Sequence, residues 1–182
     1  MPQVLRTERM RLDLWDADLH TPLLRALATN PAVVRHIGDG SPWSEARIAA
    51  VAAHGDEHWR AHGFGWRVAT LTATGASVGF IALSFAGPGA GIDADEYEIG
   101  WWLAPEAWRK GLAREGAAAV RDEAFERVGA PSVVARIAPA NAASLLVAAA
   151  IGLRPEGSSI GRGGEPIAVL RLDRVSWQAR SA

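Results

Sequence analysis

The sequence predicts an α/β domain in which a mixed sheet carries helices on its faces. Three observations predict it. Strand and helix signals interleave along the chain. The clearest amphipathic helix, Gly111 to Val128, lies between two strand signals, as a crossover between parallel strands requires. The composition, 49% apolar and 21% charged, is that of a globular chain with one large core. At 182 residues two full domains would be cramped, so residues 1–182 are expected to form a single domain.

Met10, Leu12 and Leu14 alternate with Arg9, Arg11 and Asp13, the period of a half-buried first strand. Leu19, Leu23, Leu24 and Leu27 then recur at helical spacing, and Asn30-Pro31 separates them from a second short apolar run, so two short helices are expected. Ile48, Val51, Ala52 and Trp59 mark the inner stripe of a helix from about Ser44 to His62, ended by Gly63. Trp66 to Leu71 and Ser77 to Phe85 are rich in β-branched and aromatic residues around the turn Thr72-Ala73-Thr74-Gly75, which predicts a hairpin. Gly87 to Gly91 is expected to be a flexible surface loop. Tyr97 to Leu103 is a strand whose interior Gly100 suggests a bulge or a close backbone approach.

In the helix after Gly111, Ala113, Gly116, Ala117, Val120, Ala124 and Val128 form one stripe, and small residues there let a helix sit close to a sheet. Ser132 to Ala138 is a buried strand. Asn141 to Ala150 is a short helix with Asn141 as N-cap and Gly152 beyond its end. Two strands, Leu153 to Ile160 and Ile167 to Leu172, flank Gly161-Arg162-Gly163-Gly164. The unit from Tyr97 to Ala138 is one strand-helix-strand crossover, and ligands of such units sit at the carboxyl ends of the strands. The site is expected there.

The strong helix opens with Trp108-Arg109-Lys110-Gly111-Leu112-Ala113-Arg114-Glu115-Gly116. A helix start exposes unpaired N–H groups and the positive end of a dipole, and glycine lets an anion approach the backbone, so the segment can seat a phosphate. Arg109, Lys110 and Arg114 add charge, and Lys110 is the only lysine in the chain. The competing interpretation is a loop whose glycine merely eases a turn.

Glu98-Ile99-Gly100-Trp101-Trp102-Leu103-Ala104-Pro105, the segment from Trp108, then Asn141-Ala142-Ala143-Ser144 and Gly152-Leu153, resemble the GNAT superfamily of acyl-CoA-dependent N-acyltransferases. With Leu5-Arg6-Thr7-Glu8-Arg9-Met10-Arg11-Leu12 as an opening strand, nearly the whole chain is similar to the RimJ/RimL type, the ribosomal-protein N-terminal acetyltransferases. The family signature is Gln/Arg-x-x-Gly-x-Gly/Ala. Gly111 and Ala113 match it, and Trp108 stands where the wider family has Gln or Arg, a feature common in this branch.

The resemblance implies a GNAT fold: a mixed, mostly antiparallel sheet of about seven strands with a splayed centre and helices on both faces. It implies that the amides from Arg109 through Lys110, Gly111, Leu112 and Ala113 to Arg114 hold the pyrophosphate of acetyl-CoA, the acyl donor. The bulged strand around Trp101, Trp102 and Leu103 would pair with the peptide-like pantetheine arm. Asn141 would face coenzyme A besides capping its helix, and Ser144 is a candidate to hydrogen-bond the departing sulfur. Many family members place a tyrosine acid later in this helix, where this chain has Ala148; acid catalysis by Ser144, by water or by nothing stays open.

A thioester is an activated acyl donor, so bringing a neutral amine to it supplies much of the acceleration, and a carboxylate helps remove the amine proton. Glu96 and Glu98 lie in or beside the strand, on one face by alternation. The resemblance favours Glu98 as base; a rim carboxylate that only solvates the strand is the alternative. The expected activity is transfer of an acetyl or larger acyl group to a primary amine, a protein N-terminus or a small molecule, by direct attack in a ternary complex. A coenzyme A-binding sensor or scaffold is the non-enzymatic alternative.

Lys plus Arg total 19 and Asp plus Glu 20, a formal net charge of −1 that argues against a nucleic-acid partner. Cysteine is absent, which removes disulfides, thiolate metal ligands and thiol nucleophiles. The charged N-terminal segment does not fit a secretory signal and no apolar run is long enough to span a membrane, so a cytoplasmic monomer or homodimer with no membrane partner is expected. His54, Glu57 and His58 match the zinc-peptidase pattern H-x-x-E-H, against which a solvated or packed histidine face is weighed; no metal is expected. Gly87-x-Gly89-x-Gly91 precedes a strand where a dinucleotide fingerprint requires a helix. Of eight tryptophans, Trp15, Trp43 and Trp59 lie in the front half; most are expected in the core, with one or two walling a pocket.

Overall fold

The structure, a computed structural model, describes residues 3–181. Met1, Pro2 and Ala182, the ends of the expected single domain, lie outside the described residues. The strands are β1 (Leu5–Arg6), β2 (Met10–Leu14), β3 (Arg67–Leu71), β4 (Ser77–Phe85), β5 (Tyr97–Leu103), β6 (Ser132–Ile137), β7 (Arg154–Ile160) and β8 (Pro166–Asp173). The α-helices are α1 (Ala17–Ala28), α2 (Pro31–Val34), α3 (Glu45–His62), α4 (Leu112–Glu123), α5 (Ala142–Ala150) and α6 (Arg174–Ser181).

One eight-stranded sheet runs in the order β1-β2-β3-β4-β5-β6-β8-β7. Every neighbouring pair is antiparallel except β5 and β6, which are parallel and joined through α4 as the crossover predicts. β5 and β6 register only at Glu98↔Val134, so the two strands part towards their carboxyl ends and open the sheet at its centre. The sheet has one strand more than the seven expected, because β1 is a separate two-residue strand on β2.

Alternation along the strands divides the interior into two cores. Val68 and Phe80 face Leu24, Leu27, Trp43 and Ile48 of the α1–α3 layer. Met10, Ile81, Leu83, Ile99 and Leu103 face Leu112, Ala117 and Val120 of α4. Asn141 caps its helix as expected, accepting from the Ser144 N–H, and Asp16 and Ser44 likewise cap α1 and α3 by accepting from the N–H groups of Leu19 and Arg47. Gly116 lets α4 approach the sheet, since a Cβ there would stand 2.8 Å from Ile81 Cγ1.

Three expectations are corrected. Gly100 is not a bulge: β4 and β5 pair without a register shift from Gly79↔Leu103 to Phe85↔Tyr97, and a Cβ on Gly100 would meet nothing within 4 Å. The predicted single helix to Val128 changes at Ala124 into a π-helical turn, Ala124–Val128. The wider turn shifts the inward face, so Phe125 is buried while Val128 is only partly so. The loop around Gly87–Gly91 is anchored: the carbonyls of Ala86 and Pro88 accept from Arg162, that of Ala90 from Arg136, and that of Gly91 from Ser159. Among the described residues no helix is long and apolar enough to cross a membrane.

Candidate active site

The site is built where β5 and β6 part. Beyond Glu98 no strand pairs with the β6-facing edge of β5, so main-chain groups of Gly100, Trp101 and Trp102 border an opening. The other edge of β5 stays on β4, and Gly79 makes that possible. With φ of 151°, Gly79 holds a backbone that L side chains rarely adopt, and a Cβ there would collide with the Trp102 carbonyl oxygen and stand 2.8 Å from Leu103 Cα. Sequence reading passed over Gly79; its one signal was a glycine inside a strong strand pattern.

After Leu103 a short 3₁₀ turn, Pro105–Ala107, leads to Trp108, whose Nε1–H donates to the Leu103 carbonyl at 2.7 Å. Arg109, at φ of 58°, is the one non-glycine residue with positive φ among the described residues, and Gly111 follows at 76°. These two conformations swing the chain into α4. The helical ladder begins only with Glu115 N–H on the Gly111 carbonyl at 3.0 Å. Among the described residues, the N–H groups of Arg109, Lys110, Gly111, Leu112, Ala113 and Arg114 therefore have no acceptor. The side chains of Arg109, Lys110 and Arg114 are exposed and make no ion pair among the described residues, whereas Leu112 is buried and can offer only its amide. Six orphan donors, three cations and a helix dipole fit a diphosphate.

Arg9, just ahead of β2, holds this loop, and no local sequence pattern marks it for that role. Its Nη1 donates to the Lys110 carbonyl at 2.7 Å, while its N–H and Nε donate to Glu115 at 2.8 and 2.7 Å. Burial raises the Glu115 pKa, but the Thr7 hydroxyl and the Arg9 backbone and side chain together outweigh it and hold the carboxylate below its usual range.

Asn141, Ser144 and Trp101 form one chain of contacts. Asn141 Oδ1 accepts from the Ser144 N–H at 3.2 Å, and Ser144 Oγ accepts from Trp101 Nε1–H at 3.3 Å, which leaves the serine proton free to be donated. Ala148 is fully buried in the α4-side core, and Tyr97 packs on Phe64 and Phe85.

On the α1–α3 side the opening widens into a cleft of about 910 Å³. Glu98, Gly100, Trp101 and Trp102 line it from β5, and Arg136 and Ala138 from the end of β6. Glu98 Oε2 accepts from Arg136 Nη2 at 2.9 Å, and Oε1 has no partner among the described residues. Glu96 is not part of this cleft: both its oxygens are taken by Arg171, at 2.7 and 2.8 Å. Of the three front-half tryptophans only Trp43 lines the cleft. Trp15 is core and donates to the Ala52 carbonyl, and Trp59 donates to the Trp66 carbonyl.

His58 is not free for zinc. Nε2 accepts from the Phe85 N–H at 3.1 Å, so the ring proton sits on Nδ1, which donates to the Phe64 carbonyl at 2.8 Å. Among the described residues no group of three or more His, Asp or Glu is placed to hold a metal. The peptidase alternative loses the second histidine that H-x-x-E-H requires.

The model of the Acetyltransferase (GNAT) domain matches residues 9–154. Among solved structures, an acetyltransferase from Agrobacterium tumefaciens str. C58 is 30% identical, with a TM-score of 0.79 over 93% of this chain and 94% of that one. AAC(6')-Ib, solved with ribostamycin and coenzyme A, is 14% identical, with a TM-score of 0.75 over 94% of this chain and 97% of its own. A Vibrio cholerae protein described as a ribosomal-protein-serine acetyltransferase is 19% identical, with a TM-score of 0.69 over 95% and 99% of the two chains. These last two share the fold. The splayed sheet, the bare start of α4 and a domain match over most of the chain agree, and the chain belongs to the GNAT acetyltransferase family.

Proposed function

We propose that residues 1–182 act as one unit that transfers an acetyl group from acetyl-CoA to a primary amine. The observation that carries this is the run of six N–H groups, Arg109 to Arg114, that have no acceptor among the described residues and lie beside the edge of β5 left open past Glu98. AAC(6')-Ib, which shares the fold, was solved with coenzyme A, which supports the same donor here. When bound, acetyl-CoA supplies an acyl group already activated as a thioester.

The chain's own residues then do three things. The amides of Arg109–Arg114, with Lys110, Arg109 and Arg114, take the pyrophosphate; the open edge at Trp101, Trp102 and Leu103 takes the pantetheine arm. Glu98 Oε1 accepts a proton from the amine directly or through a water, and Arg136 fixes its carboxylate at the cleft wall. Ser144, oriented by Asn141 and Trp101, donates a hydrogen bond to the sulfur that leaves, while solvent protonates the thiolate and takes back the proton held by Glu98. The new bond is C–N, the broken one C–S, and the proton lost by nitrogen balances the proton gained by the thiol. Attack is direct, because the chain has no cysteine to carry the acyl group.

The acceptor is a protein N-terminal amine or a small-molecule amine. The RimJ/RimL resemblance and the Vibrio cholerae neighbour favour the first; AAC(6')-Ib, solved with ribostamycin, keeps the second. We place the chain in the cytoplasm as a monomer or homodimer without a membrane partner, and its near-zero net charge disfavours a nucleic-acid partner. The sensor alternative rests on Ala148, which puts a core methyl where many family members place an acid.

Thiol release from acetyl-CoA, measured over a panel of peptides and small amines, tests the proposal. Amine-dependent release supports the transferase. Tight acetyl-CoA binding with no release from any amine supports the sensor, and no binding at all overturns both.

A further inference from the structure

The acceptor cleft has a character that the donor side does not dictate. Its apolar walls are Ile37, Val51, Trp66, Phe85 and Trp102, all half-buried and so offering surface, together with Trp43. Trp43 meets Trp102 edge-on at 5.0 Å, and Trp102 lies 6.0 Å from Trp66, so three indoles form a continuous wall. Trp43 is 8% exposed, and its Nε1–H is buried with no acceptor among the described residues. A buried indole donor without a partner is unusual and can be satisfied by an acceptor atom or a water brought in with a ligand.

The charges lining the cleft are balanced. Arg47, Arg136 and Arg162 stand against Asp39, Glu98 and Glu165. The carboxylates are partly used. Glu98 is paired with Arg136, Asp39 accepts from the Ser41 N–H, and Glu165 accepts from the Gly163 N–H. The Arg47 guanidinium lies 4.0 Å from the Trp43 ring centroid and already occupies the cation-attracting face of that indole. His58 is kept neutral by burial and by the Phe85 N–H that occupies its Nε2, and adds no charge. One carboxylate oxygen at the β5 opening, Glu98 Oε1, is therefore placed to receive a single ammonium. A polycation entering the cleft meets three guanidiniums against three carboxylates, so there is no acidic surplus to bind its further ammonium groups.

Building on the transferase proposal above, we infer that the acceptor is a monoamine carried on a flat aromatic body, and that Trp43 and Trp102 select it against polycationic amines. The ring lies along the indole wall and the amine reaches Glu98. Arg47 supplies the selection against further positive charge.

The test compares tryptamine and 2-phenylethylamine with spermidine in acetyl-CoA thiol release. The expected kcat/KM for the aromatic amines is at least about tenfold higher. Trp43→Ala should remove most of that advantage through KM, with the Kd for coenzyme A unchanged. Arg47→Glu, on an exposed helix position where folding is not at stake, should raise relative use of spermidine by about fivefold. Equal or better use of spermidine by the native chain, or a ratio that Arg47→Glu does not move, overturns the inference. Should no amine release thiol while coenzyme A still binds, the transferase proposal fails separately. Equilibrium dialysis with coenzyme A present then decides the cleft: preferential retention of tryptamine supports the inference and preferential retention of spermidine overturns it.

Discussion

Arg9 and Glu115, 106 residues apart, lock the first turn of α4 to the start of β2: the Arg9 N–H and Nε donate to the two carboxylate oxygens, and Arg9 Nη1 reaches on to the Lys110 carbonyl. The positive-φ turn at Arg109 and Gly111 is thereby fixed from outside through the Lys110 carbonyl and the Glu115 carboxylate, contacts that use none of the amides from Arg109 to Arg114. A loop that must present six donors to an anion gains affinity when it is ordered before the anion arrives.

Arg9→Ala should therefore weaken coenzyme A binding by about tenfold, the worth of one charge-assisted hydrogen bond. Its cost in stability should stay below about 1 kcal/mol, because the Arg9 side chain is 46% exposed. Calorimetric titration beside thermal unfolding checks both. Unchanged affinity would show that the clamp only packs the helix.

Glu98→Gln should lower kcat by about a hundredfold or more and remove the acid limb of the pH–rate profile, leaving coenzyme A affinity as it was. The amide keeps the size of the carboxylate but cannot accept the proton. A profile of unchanged shape would hand the base role to water.

The buried pair Arg67–Glu123 makes a prediction about stability alone. The Arg67 side chain is fully buried, donates Nε–H to Glu123 Oε2 at 2.7 Å, and also serves the Gln3 and Leu12 carbonyls. Glu123→Gln strands that guanidinium, and should cost about 3–5 kcal/mol in urea unfolding while activity per folded molecule is preserved. A loss under 1 kcal/mol would mean that water reaches Arg67.

Much of this was legible in the sequence. β4 and β5 have the ends that β-branched and aromatic residues mark, and α3 runs from its Ser44 cap to Gly63. What escaped had physical causes. β1 is too short to show a period. α6 follows β8 without a turn signal; Asp173 caps it by accepting from the Ser176 N–H, and Trp177 anchors it on Phe125 at 5.0 Å. Arg67 is a charge in a buried strand, which no hydropathy pattern foretells. At the site, the loop proposed to seat the diphosphate stands out in sequence because glycine and cations cluster there. The Arg9 clamp, the Arg136 partner of Glu98 and the indole wall join residues far apart in the chain, which one sequence alone does not pair.

His58 gives the pH dependence. Burial pushes its imidazole below the ordinary value of 6.5; the Phe64 carbonyl pulls the other way, and His62 and His54 add to the lowering. The unfolded chain thus holds the proton more tightly, so the His58 contribution is complete above 6.5 and is lost as pH falls below it towards the lowered folded-state value. The urea midpoint should fall between about pH 7.5 and pH 5. His58→Gln should flatten that slope, and an equal slope in the variant would assign the effect elsewhere.

The most direct measurement follows the backbone ¹⁵N–¹H resonances of Arg109, Lys110, Gly111, Leu112, Ala113 and Arg114 while coenzyme A is titrated into labelled protein. These six amides, which have no acceptor among the described residues, should shift together and saturate with the binding isotherm. Saturable binding that moves other resonances and leaves these six in place would contradict the account.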